Sequence, residues 1–487
     1  MEYLDPKRQR RHRITLWLGY GLITIAIAIG VVILLWETYG YSLKNGQVIQ
    51  NGMVFIASQP NPANIYINGV LNPSTTNARL TLQAGNYLLQ LEEAGYRTWS
   101  HEIAISGGTV IHYDYPLLIP NKLTPHTVAK LNTLPEFASQ SPNQQLLILG
   151  SSAHFGSFTM YNLTQPQAAP VALSLPSGLL TPAVGSQSWQ VVGWANDNQH
   201  LLLEHLYATG SEFIELNTAN PSQSVNLNQL FNVVPTSVAL INQQYNQFYF
   251  YNSNGGVLES ASLSNSAVLT PVLSGILAYD AFGNNQILYV TANGAPAGQV
   301  AVRLDNSSKS YLMHYLPTAS TYLLDMASYA GDTYAAVGDS ADNIVYVYHN
   351  PLIQAAVSPA SMILPFRALR IANPNYLTFS NGDQFILAQN GVNLAVYNIR
   401  RDMIYLYALP APLDAPQTNV TWMDNDRLVG VSQGKLIMFD YDNTNRQNLI
   451  PALPQYPPFF APGYQSFFTL NTLRGQNVLQ QTSLLAN

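Results

Sequence analysis

Cysteine is absent from all 487 residues, so the chain has no disulfide, no thiolate metal ligand and no cysteine nucleophile, and packing must hold its fold. Charge is scarce as well. Asp, Glu, Lys and Arg together make up 9% of the sequence, against about 25% in ordinary globular domains. Asn, Gln, Ser, Thr and 30 Tyr supply the polar surface instead. Between Lys130 and Arg303 there is neither lysine nor arginine, whereas Glu136, Asp197, Glu204, Glu212, Glu215, Glu259 and Asp280 all fall in that interval. Such a stretch suits a cationic partner or a divalent ion, or is simply a sparsely charged surface. From Glu37 onward, 15 basic and 24 acidic side chains leave a net charge of −9. That sign argues against nucleic acid as a partner.

Catalytic signatures are missing too. The sequence contains no Gly-x-Ser-x-Gly, no P-loop and no dinucleotide-binding glycine fingerprint set between a strand and a helix. His200-Leu-Leu-Leu-Glu204-His205 superficially resembles an inverted zinc-protease motif but is one residue too long. On a strand, His200 and Glu204 share one face and His205 points to the other, so the three cannot converge on one metal. Asp440-Tyr-Asp442-Asn443-Thr444-Asn445 lacks the glycine and the distal glutamate of a calcium loop and reads as an Asx-rich turn, as do Asp339, Asp342 and Asn343. No catalytic residue, metal site or cofactor is expected.

What is present begins with five of the 20 basic residues, Lys7, Arg8, Arg10, Arg11 and Arg13, followed by 23 residues, Ile14 to Trp36, without a charge. At ~1.5 Å per residue a helix of that length reaches roughly 34 Å, enough for a ~30 Å hydrocarbon core. The stretch predicts a transmembrane helix at 14–36 in the lipid bilayer. Residues 1–13 then form a cytoplasmic tail beside anionic lipid, and everything beyond is extracellular in a single-pass cell-membrane protein. A cleaved secretory signal is the alternative. It needs a shorter apolar run that ends in small residues, and Leu34-Leu35-Trp36-Glu37 offers no such site.

Residues 37–52 read as a linker with a hairpin, its turns marked by Lys44-Asn45-Gly46 and Asn51-Gly52. From Met53, six short alternating strands follow: Val54–Ile56, Ile65–Ile67 ending at Asn68-Gly69, Leu80–Leu82, Tyr87–Leu91, Ile103–Ile105 and Val110–Tyr113. They predict a small β-sandwich over 53–120. Pro60 and Ala63, Ile65-Tyr66-Ile67-Asn68-Gly69, Leu82 to Tyr87 with Ala84-Gly85, and Gly95-Tyr96-Arg97-Thr98-Trp99 together resemble the PEGA domain of bacterial and archaeal surface proteins, from Ser58 to about Leu118. Asn61 and Pro62 stand where the family's name motif has Glu and Gly. The resemblance implies a structural or recognition module near the membrane. Tyr96 and Trp99 are its candidate binding residues, as a glycan-stacking platform or, in the plainer reading, as caps on the sandwich core.

Beyond Pro120 one unit recurs at a spacing of roughly 35 to 55 residues, a polar turn leading into an apolar strand. The turns are Ser141–Gln145, Trp194–Asn198, Asn242–Asn246, Phe282–Asn285, Tyr329–Asp332, Ser380–Asp383, Trp422–Asp426 and Pro462–Tyr464. Companion strands follow most of them, as at Phe158–Asn162, Phe213–Asn217, Val345–Tyr348, Leu394–Asn398 and Leu436–Tyr441. The pattern resembles the WD40-like and TolB-like β-propeller families and predicts a propeller over 121–487, with eight blades, or seven if the end blades share strands. Ring closure leaves few open strand edges, which fits a chain with little charge to guard them. The fold expected is therefore an all-β ectodomain behind one membrane helix. Its expected function is that of a cell-surface binding or scaffold protein, recognising envelope glycan or a surface protein through the propeller. A propeller-type glycosidase or lyase using acidic residues such as Glu204 or Glu215 is the second reading, and an assembly or sensor subunit of an envelope complex the third.

Overall fold

The computed structural model describes residues 6–38, 41–44, 47–151, 154–264, 268–283, 285–358 and 361–486. The expected Lys44–Gly46 turn and the side chains of Lys7 and Arg8 lie outside the described residues. The chain divides into two compact units, Met1–Lys122 with Leu485–Asn487, and Leu123–Leu484.

The first unit opens with a helix from Pro6 to Thr38. Proline suits the first turn because its missing N–H would find no helical partner there. The basic residues continue the helix because Lys, Arg and Gln are strong helix formers, so the helix starts well before the apolar run. Its Thr15 and Thr24 hydroxyls donate to the carbonyls of Arg11 and Tyr20, 2.9 Å each, which pairs both threonine hydroxyl hydrogens on the apolar surface. Arg10–Trp36 is long and apolar enough to cross a membrane.

The remainder of this unit is a sandwich of two four-stranded sheets. One holds Tyr41–Lys44, Gln47–Ile56 and Ala78–Gln83, with Val110–Tyr113 parallel to Gln47–Ile56. The other runs Val70–Thr75, Asn64–Ile67, Gly85–Glu92, Trp99–Ile105. Alternate residues Val54 and Ile56, Leu89 and Leu91, and Ile103 and Ile105 are buried between them with Trp99, the period of two expected of half-buried strands. All six expected strands are present. The Asn51-Gly52 turn is not: Asn51 and Gly52 sit within one strand, opposite Gln83 and Leu82. Glycine is needed there for close approach, since a Cβ would lie 2.5 Å from Ile105 Cγ2 and 2.6 Å from the Ser106 carbonyl oxygen. Asn68-Gly69 does turn, with φ of 52° and 78°, the left-handed values of a tight hairpin.

The second unit is a β-propeller. Among the described residues it contains eight four-stranded antiparallel sheets. Their first strands are Ala138–Gln140, Gln187–Trp194, Ser237–Leu240, Ile276–Phe282, Tyr322–Tyr329, Tyr376–Phe379, Thr421–Trp422 and Phe459–Phe460. First strands of neighbouring sheets approach one another, the second and third, the fourth and fifth, and the fifth and sixth among them, so these strands form the inner wall. Each of the eight polar turns in the sequence leads into the second strand of one sheet, from Leu146–Gly150 to Ser466–Leu473. Second-strand side chains alternate between the two flanking sheets. Ile148 packs with Trp189 and Leu201 of the second sheet, while Leu147 and Leu149 pack with Phe468, Leu470 and Leu479 of the eighth. The first sheet therefore touches both the second and the last, and the ring closes. Its seal is Pro125–Leu131, which pairs with Gln476–Ser483 as the fourth strand of the eighth sheet.

Candidate functional site

A cavity of 350 Å³ opens among the inner strands where the sixth, seventh, eighth and first sheets meet. Gln140, Ser141, Gln144, Asn381 and Thr421 supply amide and hydroxyl groups to its wall, and Trp422, Phe459 and Phe460 supply aromatic rings. Among the described residues, no charged side chain lines it. Turn chemistry shapes the wall: the Ser141 hydroxyl donates to Asn143 Oδ1 at 2.7 Å and accepts the Leu146 N–H at 3.0 Å, an ST-type turn that aims the following Gln144 and strand. Gln140 clamps the closing seam. Its Nε2 donates to the Phe460 carbonyl at 2.6 Å, and its Oε1 accepts the Phe460 N–H at 3.0 Å. Trp422 stacks at 5.8 Å on Phe385, and its buried indole N–H has no hydrogen-bond partner among the described residues. Unpaired buried donors are rare in folded proteins. Here the donor belongs to a residue that lines a cavity.

Elsewhere on the inner wall, carboxylates hold neighbouring sheets together. Glu136 Oε1 accepts the Trp189 N–H at 2.8 Å, and Asp325 Oδ2 accepts the Phe379 N–H at 3.0 Å. Asp280 is bonded in the same way to the backbone of Met326. Burial pushes the Asp280 carboxyl up to about 6, and burial with the nearby Asp280 charge pushes Asp325 up to about 7. Glu136 and Asp280 belong to the acidic interval of the sequence, but their bonds to neighbouring sheets, like that of Asp325, carry no motif.

The acidic residues expected of a propeller enzyme do not meet at the central mouth. Glu204 lies on the second strand of its sheet and Glu215 on the third, His200–Tyr207 and Gly210–Asn217. His200 and His205 separate as strand alternation requires. His200 Nδ1 pairs with Asp197 Oδ2 at 2.5 Å, and its Nε2 is 3.8 Å from Glu215 Oε1. His205 sits on the other face between Glu212, at 2.8 Å, and Gln187, at 2.9 Å. Among the described residues, no group of three or more His, Asp and Glu side chains is placed to hold a metal ion. Asp440 is buried and accepts the Asn445 amide at 2.8 Å. Asp339 accepts the N–H groups of Ala341 and Asp342, 2.7 Å each. Both are Asx turns.

Tyr96 and Trp99 are not a stacking platform. Trp99 is 2% exposed in the sandwich core, with its ring edge-on to Tyr113 and Tyr115. Tyr96 is half-buried against that core, and its hydroxyl accepts the Ala486 N–H at 2.6 Å. Trp99 starts a strand whose inward positions it shares with Ile103 and Ile105, so alternation sends its ring inside.

Burial also pushes the Glu215 carboxyl up, to about 8, aided by the charge of Asp197. Burial opposes the charge on Glu212 as well, but hydrogen bonds from His205, Thr181 and Asn226 bring that group down to about 2. Glu215, Asp280 and Asp325 all keep a proton in the folded state at pH values where the unfolded chain, near its ordinary 4.5 or 3.8, has lost it. Stability therefore falls as pH rises from about 4 to 8. The contribution of Glu212 is already complete above its unfolded value and is flat across that window. The thermal midpoint should drop by several degrees between pH 5 and pH 8, and Glu215→Gln should flatten the decline. A midpoint that climbs over this range in a pH series of melting curves would contradict the assignment.

No curated protein matches the sequence. Among solved structures, the Dos1 propeller aligns at 13% identity over 75% of this chain and 95% of that one, with a TM-score of 0.45. The β-propeller domain of Myceliophteria thermophila Cps50 (Swd1) aligns at 12% identity over 68% and 100%, with a TM-score of 0.39. Oligogalacturonate lyase from Vibrio parahaemolyticus aligns at 9% identity over 74% and 97%, with a TM-score of 0.37. Residues 51–119, which build most of both sheets of the sandwich, match the PEGA domain.

Proposed function

We propose that the chain is a membrane-anchored surface protein whose propeller binds a neutral, polyhydroxylated ligand, a segment of envelope glycan, in the cavity beside Trp422. The observation that carries this reading is the wall itself: amides, hydroxyls and aromatic rings without one charge. Sugars are recognised by hydrogen bonds to hydroxyls and by apolar contact with aromatic faces, and neither needs an ion pair. Trp422 lines this wall, and its buried indole N–H has no hydrogen-bond partner among the described residues. The apolar helix serves as the anchor. Its flanking residues Lys7, Arg8, Arg10, Arg11 and Arg13 lie on the cytoplasmic side against anionic headgroups, and the propeller lies outside the cell.

The test is retention of the detergent-solubilised chain on isolated envelope polymer. Retention should be nearly independent of salt, because screening acts on charges and few are involved. Trp422→Phe keeps a ring over Phe385 but removes the N–H together with the fused five-membered ring, so it should weaken binding at least about fivefold, the worth of one hydrogen bond or more. Asn381→Ala, which takes one amide from the wall, should weaken binding about fivefold. Unaltered binding by both variants would place the ligand elsewhere, and released oligosaccharides would favour a glycosidase or lyase.

A further inference from the structure

The fifth sheet carries an insertion between its third strand, Ile344–His349, and its fourth, Arg367–Arg370. It opens with a short helix, Pro351–Val357, and residues 351–366 contain no charge. Its large apolar side chains face solvent: Val357 is 81% exposed, Leu364 67% and Ile353 63%, with Met362 and Phe366 exposed beside them. The cause is local. Ile363 is buried and donates its N–H to the Leu312 carbonyl at 3.0 Å, and alternation then turns its neighbours Met362 and Leu364 outward.

The outer strand of the sixth sheet, Met403–Ala408, adds exposed Ile404 and Leu406 on one face. The two segments are joined directly. Arg367 Nε donates to Asp402 Oδ1 at 2.6 Å, and the Arg367 guanidinium lies 4.1 Å from the centre of the Phe366 ring. Over residues 351–370 and 400–406 the charges are Arg367, Arg370, Arg400 and Arg401 against Asp402 alone. An acidic chain has thus placed four arginines in the two segments that carry this exposed apolar surface. Patches of this kind mark interaction sites.

We infer that the patch formed by Ile353, Val357, Leu364, Phe366 and Leu406, margined by Arg370 and Arg400, is a peripheral docking surface for an anionic phospholipid bilayer. A bilayer presents the complementary order, negative headgroups above hydrocarbon, so apolar tips enter while guanidinium groups stay at phosphate level. A second copy of the chain is the poorer occupant, because it would bring two arginine margins together. The inference rests on the reading of the chain as membrane-anchored, since the tether keeps the propeller at high local concentration over lipid.

The absence of cysteine permits a single fluorophore at Val357→Cys, an exposed position, and a second preparation labelled at Leu22→Cys within the apolar helix. The full chain is reconstituted into vesicles of phosphatidylcholine, with or without phosphatidylglycerol, carrying nitroxide-labelled lipid. Docking predicts lipid-borne quenching at position 357 in the vesicles with phosphatidylglycerol. The docked fraction should partition roughly fivefold less favourably when either Arg370→Gln or Arg400→Gln is added, about the effect of one basic side chain at a charged surface. Quenching at position 22 without quenching at 357 would overturn docking and leave anchoring intact. Quenching at neither would overturn both. A blue shift at 357 that needs no lipid and grows with protein concentration would identify self-association instead and also overturn the inference.

Discussion

A chain lacking residues 457–484 should lose the propeller as a soluble fold. Those residues hold three of the four strands of the eighth sheet, and their removal strands Pro125–Leu131, whose partner is Gln476–Ser483. It also uncovers Leu147, Leu149 and Tyr161 of the first sheet, buried now against Phe468, Leu470 and Leu479. Burying a large apolar side chain contributes about 1.5–3 kcal/mol, so six of them outweigh much or all of the 5–15 kcal/mol by which a typical domain is stable. The unpaired strand Pro125–Leu131 and the uncovered apolar sheet face then meet solvent with almost no charge to block association between molecules. Size-exclusion chromatography should find aggregate where the intact chain elutes as one species. A truncated chain that stays soluble and melts cooperatively would show that closure is not what holds the ring.

Arg427→Met should be the most costly single substitution in the seventh sheet, at about 3–5 kcal/mol. Arg427 and Asp424 form an ion pair with both side chains 9% exposed, and Asp440, also buried, adds to the field that holds the guanidinium charged. Asp424 Oδ1 further accepts the N–H groups of Asp426 and Arg427, 2.8 Å each. Removing the cation leaves two buried carboxylates without their counter-charge. Adding Asp424→Leu to Arg427→Met should recover part of the loss, because a well-packed apolar pair replaces a desolvated ionic one, although Asp440 stays uncompensated. Urea midpoints of the single and double variants measure both effects. A single variant within about 0.5 kcal/mol of the parent, as for an ordinary surface change, would mean that water reaches the pair.

The cavity shows why a site can be absent from a sequence that otherwise reads well. Gln140 and Phe460 are 320 positions apart, yet they share two hydrogen bonds. Nothing near either residue signals the other. Trp422 and Asn381 were visible only as parts of repeat turns, and their meeting at one wall is a product of how sheets converge at an axis. Tyr96 and Trp99 are the opposite case: their spacing after a glycine is visible in the sequence, and strand alternation places Trp99 in the sandwich core, in line with the plainer reading as core caps.

What the sequence by itself determined was whatever acts between near neighbours. The uncharged run Ile14–Trp36 can only be an apolar helix, and polar turns such as Ser141–Gln145 and Ser380–Asp383 start strands because their side chains bond their own backbone. Period-two alternation then builds the sandwich and the second strand of every propeller sheet. The tertiary structure alone decided that Gly52 continues a strand under Ile105, that Pro125–Leu131 seals the last sheet, and that uncharged groups from four sheets enclose one cavity. These depend on partners far apart in the sequence. Contact between such partners is selected by the packing of the whole ring, and no local propensity encodes it.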